Sequence, residues 1–172
     1  MKYKPALMHL QRYYVTAPLG TTVDKLTTED TGKFVVRPPI AGATNAEQVA
    51  DNYVLVATGA PFETICISVE TDQPTQDGFV MGSVLIPEVN KSRLHVINDN
   101  ATALKVGDLV IAGNNNAAHT AAPNLLRVRK SGASDHVFRW QVVSLMGGSG
   151  AINTEVVIAY VGHGASIPAA AL

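Results

Sequence analysis

The stretch His136-Val137-Phe138-Arg139-Trp140-Gln141-Val142-Val143 decides how this chain is read. Apolar residues recur at every second position, which sends Phe138, Trp140 and Val142 to one face of an extended segment and Arg139 and Gln141 to the other. A helix would need them three and four apart. The segment therefore predicts a strand with one face on a core, and Trp140, the sole tryptophan, is its expected anchor.

The same texture continues on both sides. Runs rich in valine, isoleucine and threonine occupy Tyr13 to Thr16, Lys33 to Arg37, Tyr53 to Val56, Thr64 to Glu70, Phe79 to Ile86, Arg93 to Ile97, Leu109 to Ala112, Leu125 to Arg129 and Thr154 to Val161. Turn signals such as Thr58-Gly59-Ala60-Pro61, Gln76-Asp77-Gly78, Lys105-Val106-Gly107-Asp108 and Ser131-Gly132 separate them. About ten strands with regular turns predict an all-β fold. A jelly-roll-like β-sandwich with little helix is favoured over a small β-barrel or β-tulip, because that strand number exceeds what a small barrel needs. Helix is limited to one or two turns over Asn45 to Asp51, behind an asparagine cap.

In Glu155-Val156-Val157-Ile158-Ala159-Tyr160-Val161 both faces are largely apolar, so this strand is either internal or covered on its second side by another subunit. From Trp140 to Leu172 the single charged side chain is Glu155. That stretch is too polar for a membrane span and too poor in charge for a solvated tail, so part of it is expected to rest against protein.

The 172 residues are expected to form one β domain over 1–172, without repeat or linker, and with extended arms at 1–14 and 162–172 that lie over a neighbour. Thirteen basic against fourteen acidic residues give a net charge of -1, which offers no polybasic field to nucleic acid. Charged residues make up 16% of the chain against about 25% in soluble domains, a composition that suits a surface covered by partners. Met1 to Leu10 lacks the apolar stretch and cleavage site of a secretory signal, and no uncharged interval is long and apolar enough for a helical span. Synthesis in the cytoplasm, with no membrane partner, is expected.

Chemical motifs are few. The chain has no G-x-S-x-G, G-x-x-x-x-G-K or H-E-x-x-H sequence. Met146-Gly147-Gly148-Ser149-Gly150 lacks a lysine and lies between strands, so it predicts an inter-strand loop rather than a phosphate cradle. Cys66, alone and within a strand pattern, predicts a buried inert thiol. His9, His95, His119, His136 and His163 are scattered without the spacing of a metal set, and His95 is expected to be an exposed or hydrogen-bonded strand residue. Asn98-Asp99-Asn100 predicts an Asx-type turn rather than a calcium site. Glu63, Glu70, Asp72 and Asp77 could face one another, yet nothing selects a catalytic pair. Arg127 and Arg129, followed by Lys130, share a strand face, and salt bridges to Asp or Glu of a neighbouring subunit explain them as well as nucleic acid does. No enzyme activity, cofactor or metal is expected.

At Ala103-Leu104-Lys105-Val106-Gly107-Asp108-Leu109-Val110 the chain resembles the head-decoration, or cement, proteins of tailed bacteriophages, charge-poor β proteins rich in threonine, alanine and valine with a similar turn into a strand. The resemblance covers most of the chain. It implies a structural virion protein on the capsid exterior that clamps adjacent major capsid protein subunits, often as a homodimer or homotrimer, with no catalytic residues. Met1 to Tyr14 and Gly162 to Leu172 would then carry intersubunit contacts, with the Asn98 and Asn114 loops at the rim. The alternatives are a receptor- or carbohydrate-binding module, for which Tyr13, Tyr14 and Tyr53 are the candidate groove aromatics, and a minor tail subunit.

Overall fold

The structure, a computed structural model, describes residues 14–20, 25–37, 52–70, 79–114, 125–132 and 138–163; at 14–16, 138 and 163 the description is of the backbone. The proposed arms lie outside the described residues apart from Tyr14, Gly162 and His163, as does the helical stretch over 45–51.

Among the described residues ten strands appear in chain order: β1 (Tyr14–Leu19), β2 (Phe34–Val36), β3 (Val54–Leu55), β4 (Thr64–Glu70), β5 (Val80–Leu85), β6 (Arg93–Asn98), β7 (Leu109–Ala112), β8 (Leu126–Lys130), β9 (Phe138–Ser144) and β10 (Glu155–His163). A 3-10 turn at Thr28–Asp30 is the one helical element among the described residues. The first five strands form an antiparallel sheet in the order β1-β5-β4-β2-β3. Its two edges approach each other where Leu19 bridges Tyr53, so that Gly20 N donates to Tyr53 O at 2.6 Å and Tyr53 N to Pro18 O at 3.0 Å. The sheet is thereby curled into a half-barrel.

The last five strands close into a barrel, β10-β6-β8-β7-β9. This replaces the expected jelly-roll-like sandwich. The all-β reading holds, but the strands divide between a half-barrel and the small-barrel alternative. A count of strands does not encode pairing. Here β6 pairs in parallel with β8, while β10 pairs with both β6 and β9, and these contacts close the ring.

Period-two patterning explains how the two units join. In the first sheet Phe34, Ile65 and Leu85 face the barrel core, while their neighbours Val35, Cys66 and Val84 face a second core with Leu19, Leu26 and Val80. Both faces are therefore buried, which is why these strands read as apolar throughout. At the crossing of β1, β4 and β5 a Cβ on Gly82 would stand 2.3 Å from both Leu19 Cδ1 and Ser68 O, so only glycine fits beside the β4 irregularity between Cys66 and Ser68.

Trp140 and Val142 point into the barrel as the alternation predicts, and Trp140 is 1% exposed. Its ring lies 5.6 Å from that of Phe62, which stacks on Phe34 at 3.9 Å. The indole N–H donates to Glu63 O at 3.2 Å. One side chain thus anchors the barrel to the segment leading into β4. Along β10, Val156 to Tyr160 are all buried within the single chain, so the strand is internal. No helix of the described residues is long and apolar enough to cross a membrane.

Candidate functional site

Two loops share one end of the barrel: 99–108, which joins β6 to β7, and 145–154, which joins β9 to β10. Antiparallel pairing of Glu155 with Ile97 puts them side by side. Asn98 fastens them. Its side chain is fully buried, and its Nδ2 donates to Gly150 O at 2.8 Å and to Thr102 O at 3.0 Å, while its Oδ1 accepts from Asn100 N at 3.0 Å. Leu104 plugs the barrel beneath, and its N–H donates to Gly150 O at 2.8 Å. Gly150, at φ +68°, has Leu104 O where a Cβ would project, so any other residue would push the loops apart.

On this hydrogen-bonded base stand three exposed apolar side chains: Val106 at 63%, Met146 at 53% and Ile152 at 48%. Met146 has φ +50°, an uncommon conformation for an unbranched, bulky residue and one that costs about 1 kcal/mol or more. Two further exposed apolar residues, Ile86 (45%) and Val89 (52%), lie in the connection from β5 to β6. They are at the opposite end of β6 and β10, where Asn90 N donates to Tyr160 O and Val89 packs near Gly162.

Charges near the loops are spent within the chain. Asp99 accepts from Arg127 Nη1 at 3.2 Å, Arg129 Nη2 at 3.2 Å and Asn114 N at 3.0 Å. Lys130 pairs with Asp108 at 2.8 Å. Burial acts to raise the Asp108 pKa, but Lys130 and the Lys105 N–H outweigh it and hold the carboxyl below its ordinary range. The two arginines thus find their acid in this chain and not, as expected, on a neighbouring subunit, because the turn after β6 brings Asp99 to the arginine face of β8; Asn98-Asp99-Asn100 forms the expected Asx turn, and its first residue is a buried fastening rather than part of an exposed rim.

A second polar cluster lies where the half-barrel meets the barrel. Glu63, buried, receives Arg37 Nη2 at 2.7 Å and Nε at 3.1 Å, with Tyr53 Oη at 3.4 Å. Burial, and then the Glu63 charge, push the Tyr160 phenol up, with Arg37 opposing. Tyr53 is buried here and lines no groove; Tyr13 lies outside the described residues, as do Asp72 and Asp77. Glu63 and Glu70 are not brought together as a pair: Glu63 is buried under Arg37, whereas Glu70 is exposed at the end of β4.

Cys66 is fully buried, and burial with the nearby Asp30 charge raises its thiol to about 12 despite a Ser68 hydrogen bond, which fits the inert reading. His95 Nδ1 meets Glu155 Oε1 at 2.5 Å across β6 and β10. His9, His119 and His136 lie outside the described residues, and of His163 the backbone alone is described. Among the described residues no three His, Cys, Asp or Glu side chains gather as a metal site.

Sequence reading missed Asn98 as a fastening, Glu63 as the acceptor of Arg37, and the apolar loop tips. The tips carry a faint signal, a valine and a methionine each set directly against turn glycines, Gly107 and Gly147. Comparison with protein-family models, with curated proteins and with solved structures finds no match.

Proposed function

We propose that this chain is a structural subunit that works by protein-protein docking within an assembled particle, and that the particle is a virion of the tailed-phage type with the chain on its exterior. The observation that carries the reading is the placement of exposed apolar side chains at both ends of the rigid β6–β10 pair, Val106, Met146 and Ile152 at one and Ile86 and Val89 at the other. Separated apolar patches on one stiff body suit a bridge between neighbouring proteins. The polar clusters support it from the other side: the Glu63 and Asp99 carboxylates are occupied by arginines of the chain itself. A carbohydrate-binding module would call for exposed aromatics along a groove, and Tyr53 is buried against Glu63.

The test is co-sedimentation of the purified chain with undecorated and intact phage-type shells, counting copies bound per coat subunit. Saturation at a fixed, symmetry-related ratio is the expected result. Absence of binding to any shell, with retention on a glycan surface, would replace this reading with receptor recognition.

A further inference from the structure

Besides packing on a shared core, the half-barrel sends a piece of chain into the wall of the barrel: the connection 57–63 between β3 and β4. β7 pairs with β9 at Leu109↔Gln141 and Val110↔Trp140. At Ala112 the main-chain groups that would continue this pairing are taken by the connection instead. Ala112 N donates to Ala60 O at 2.9 Å, and Gly59 N donates to Ala112 O at 2.8 Å. On the other arm of the fork the Trp140 indole N–H donates to Glu63 O at 3.2 Å. Phe62 fills the space between, stacked on Phe34 at 3.9 Å and 5.6 Å from the Trp140 ring.

We infer that 57–63 is a strap wedged in the fork between β7 and β9, and that the pair of Arg37 with Glu63 is the pin that keeps it there. Glu63 ends the strap with its carboxylate turned back beneath Arg37, the residue that follows β2. Arg37 holds Oε1 through Nη2 at 2.7 Å, and Oε2 through Nε at 3.1 Å and its backbone N at 3.3 Å. The two side chains differ in exposure, 6% for the glutamate and 40% for the arginine. With its cation in place such a carboxylate is tolerated; without it the charge is stranded in an apolar setting. Tyr53 Oη, at 3.4 Å, is a neutral donor and does not replace the cation. Glu63 follows Phe62 directly, so its carboxylate reaches water by lifting the strap, which withdraws Phe62 from the Trp140 ring.

Lifting the strap leaves the rest of the fold in place. Ala57, Thr58 and Gly59 already face water. The half-barrel keeps its second core of Leu19, Leu26, Val80 and Val84, and the barrel keeps the pairing of β10 with β6 and β9. The strap is therefore an element with two positions, and the Arg37 guanidinium is its handle at the surface. The device is internal to the chain and stands or falls apart from docking on a shell.

The experiment follows amide exchange by NMR in the full chain, the parent against Arg37→Gln, Glu63→Gln and Arg37→Gln/Glu63→Gln. The amides of Gly59 and Ala112 report the strap, since they make its bonds; Cys66, bonded to Lys33 O, reports the half-barrel, and Val142, bonded to Asp108 O, the barrel. Arg37→Gln is expected to speed exchange at Gly59 and Ala112 by about tenfold and to open Trp140 to acrylamide quenching, with Cys66 and Val142 unchanged. The double variant leaves no charge behind and is expected to bring both amides back to within about threefold of the parent; Glu63→Gln, whose arginine can turn to water, should do the same. Equal acceleration at all four amides would show that the pair holds the whole fold, and no acceleration that Phe62 alone seats the strap; either overturns the inference. So does a double variant as fast as Arg37→Gln, because lost packing and not a stranded charge would then be the cause. If Arg37→Gln does not fold, Arg37→Lys, which keeps the charge and loses the fork, takes its place, with Gly59 and Ala112 expected about threefold faster and the same outcomes overturning the inference.

Discussion

The curled N-terminal sheet and the loop end of the barrel use apolar residues in opposite ways. In the sheet, successive residues of β2, β4 and β5 serve two cores, so almost every apolar side chain is hidden and contributes to folding. At the loop end, order comes from hydrogen bonds to Asn98 and Gly150, and the apolar side chains above them face water. The difference separates stability from contact. Apolar content in the sheet measures how firmly it folds, whereas at the loop end it is spare, and Met146 is held there in an unfavourable backbone conformation.

Substitutions should divide along that line. Trp140→Ala removes the ring between Phe62 and Tyr160 and the bond to Glu63 O, and is expected to lower the unfolding free energy by about 3–5 kcal/mol in urea titration. Asn98→Ala strips the loop end of its buried hydrogen bonds. Thr102 O and Asn100 N–H lose this partner and Gly150 O keeps the Leu104 N–H, so a loss of about 2–3 kcal/mol is expected, with faster amide exchange over 99–104 and 150–154. A smaller loss would show that the loops are held by the Leu104 plug instead.

Asp30 gives an effect tied to pH. Burial would raise its pKa, but the Lys33 hydrogen bond, the Thr27 N–H and the Lys33 charge together lower it below the ordinary 3.8. A depressed folded value means that the group adds stability above pH 3.8 and that this is lost as the pH falls through the lower folded value. Asp30→Asn is therefore expected to destabilise by about 1–2 kcal/mol at pH 7, and the gap between variant and parent should narrow at pH 3, as read from urea midpoints. The smallest effect belongs to Val106→Ser/Met146→Ser/Ile152→Ser, which should stay within about 0.5 kcal/mol of the parent when both are monomeric. A loss of several kcal/mol there would erase the contrast between the two regions.

Strand positions were legible in the sequence because alternation and turn residues are local. The runs Thr64 to Glu70 and Leu109 to Ala112 are β4 and β7 as they stand, and Trp140 is the anchor its spacing implies. The pairing of β6 with β8 was not legible, since Val96 and Leu126 meet across a separation that no local pattern records. The same holds for the candidate site. Asn98 reads as a turn residue, and the turn it makes is there, but its buried bonds to Gly150 and Thr102 depend on two loops meeting. Arg37 lies far from Glu63 in sequence and nothing nearby marks them as a pair. Exposure of Val106, Met146 and Ile152 is likewise a property of the folded surface, and composition alone shows only that charged residues are few.

Amide hydrogen exchange, compared between the dilute chain and the chain bound to coat shells at saturation, tests the bridging account most directly. The account predicts slowed exchange at both 104–107 with 146–153 and 86–90, with β9 unchanged around Trp140. Slowing confined to the curled sheet, with both patches exchanging as in the dilute chain, would contradict it.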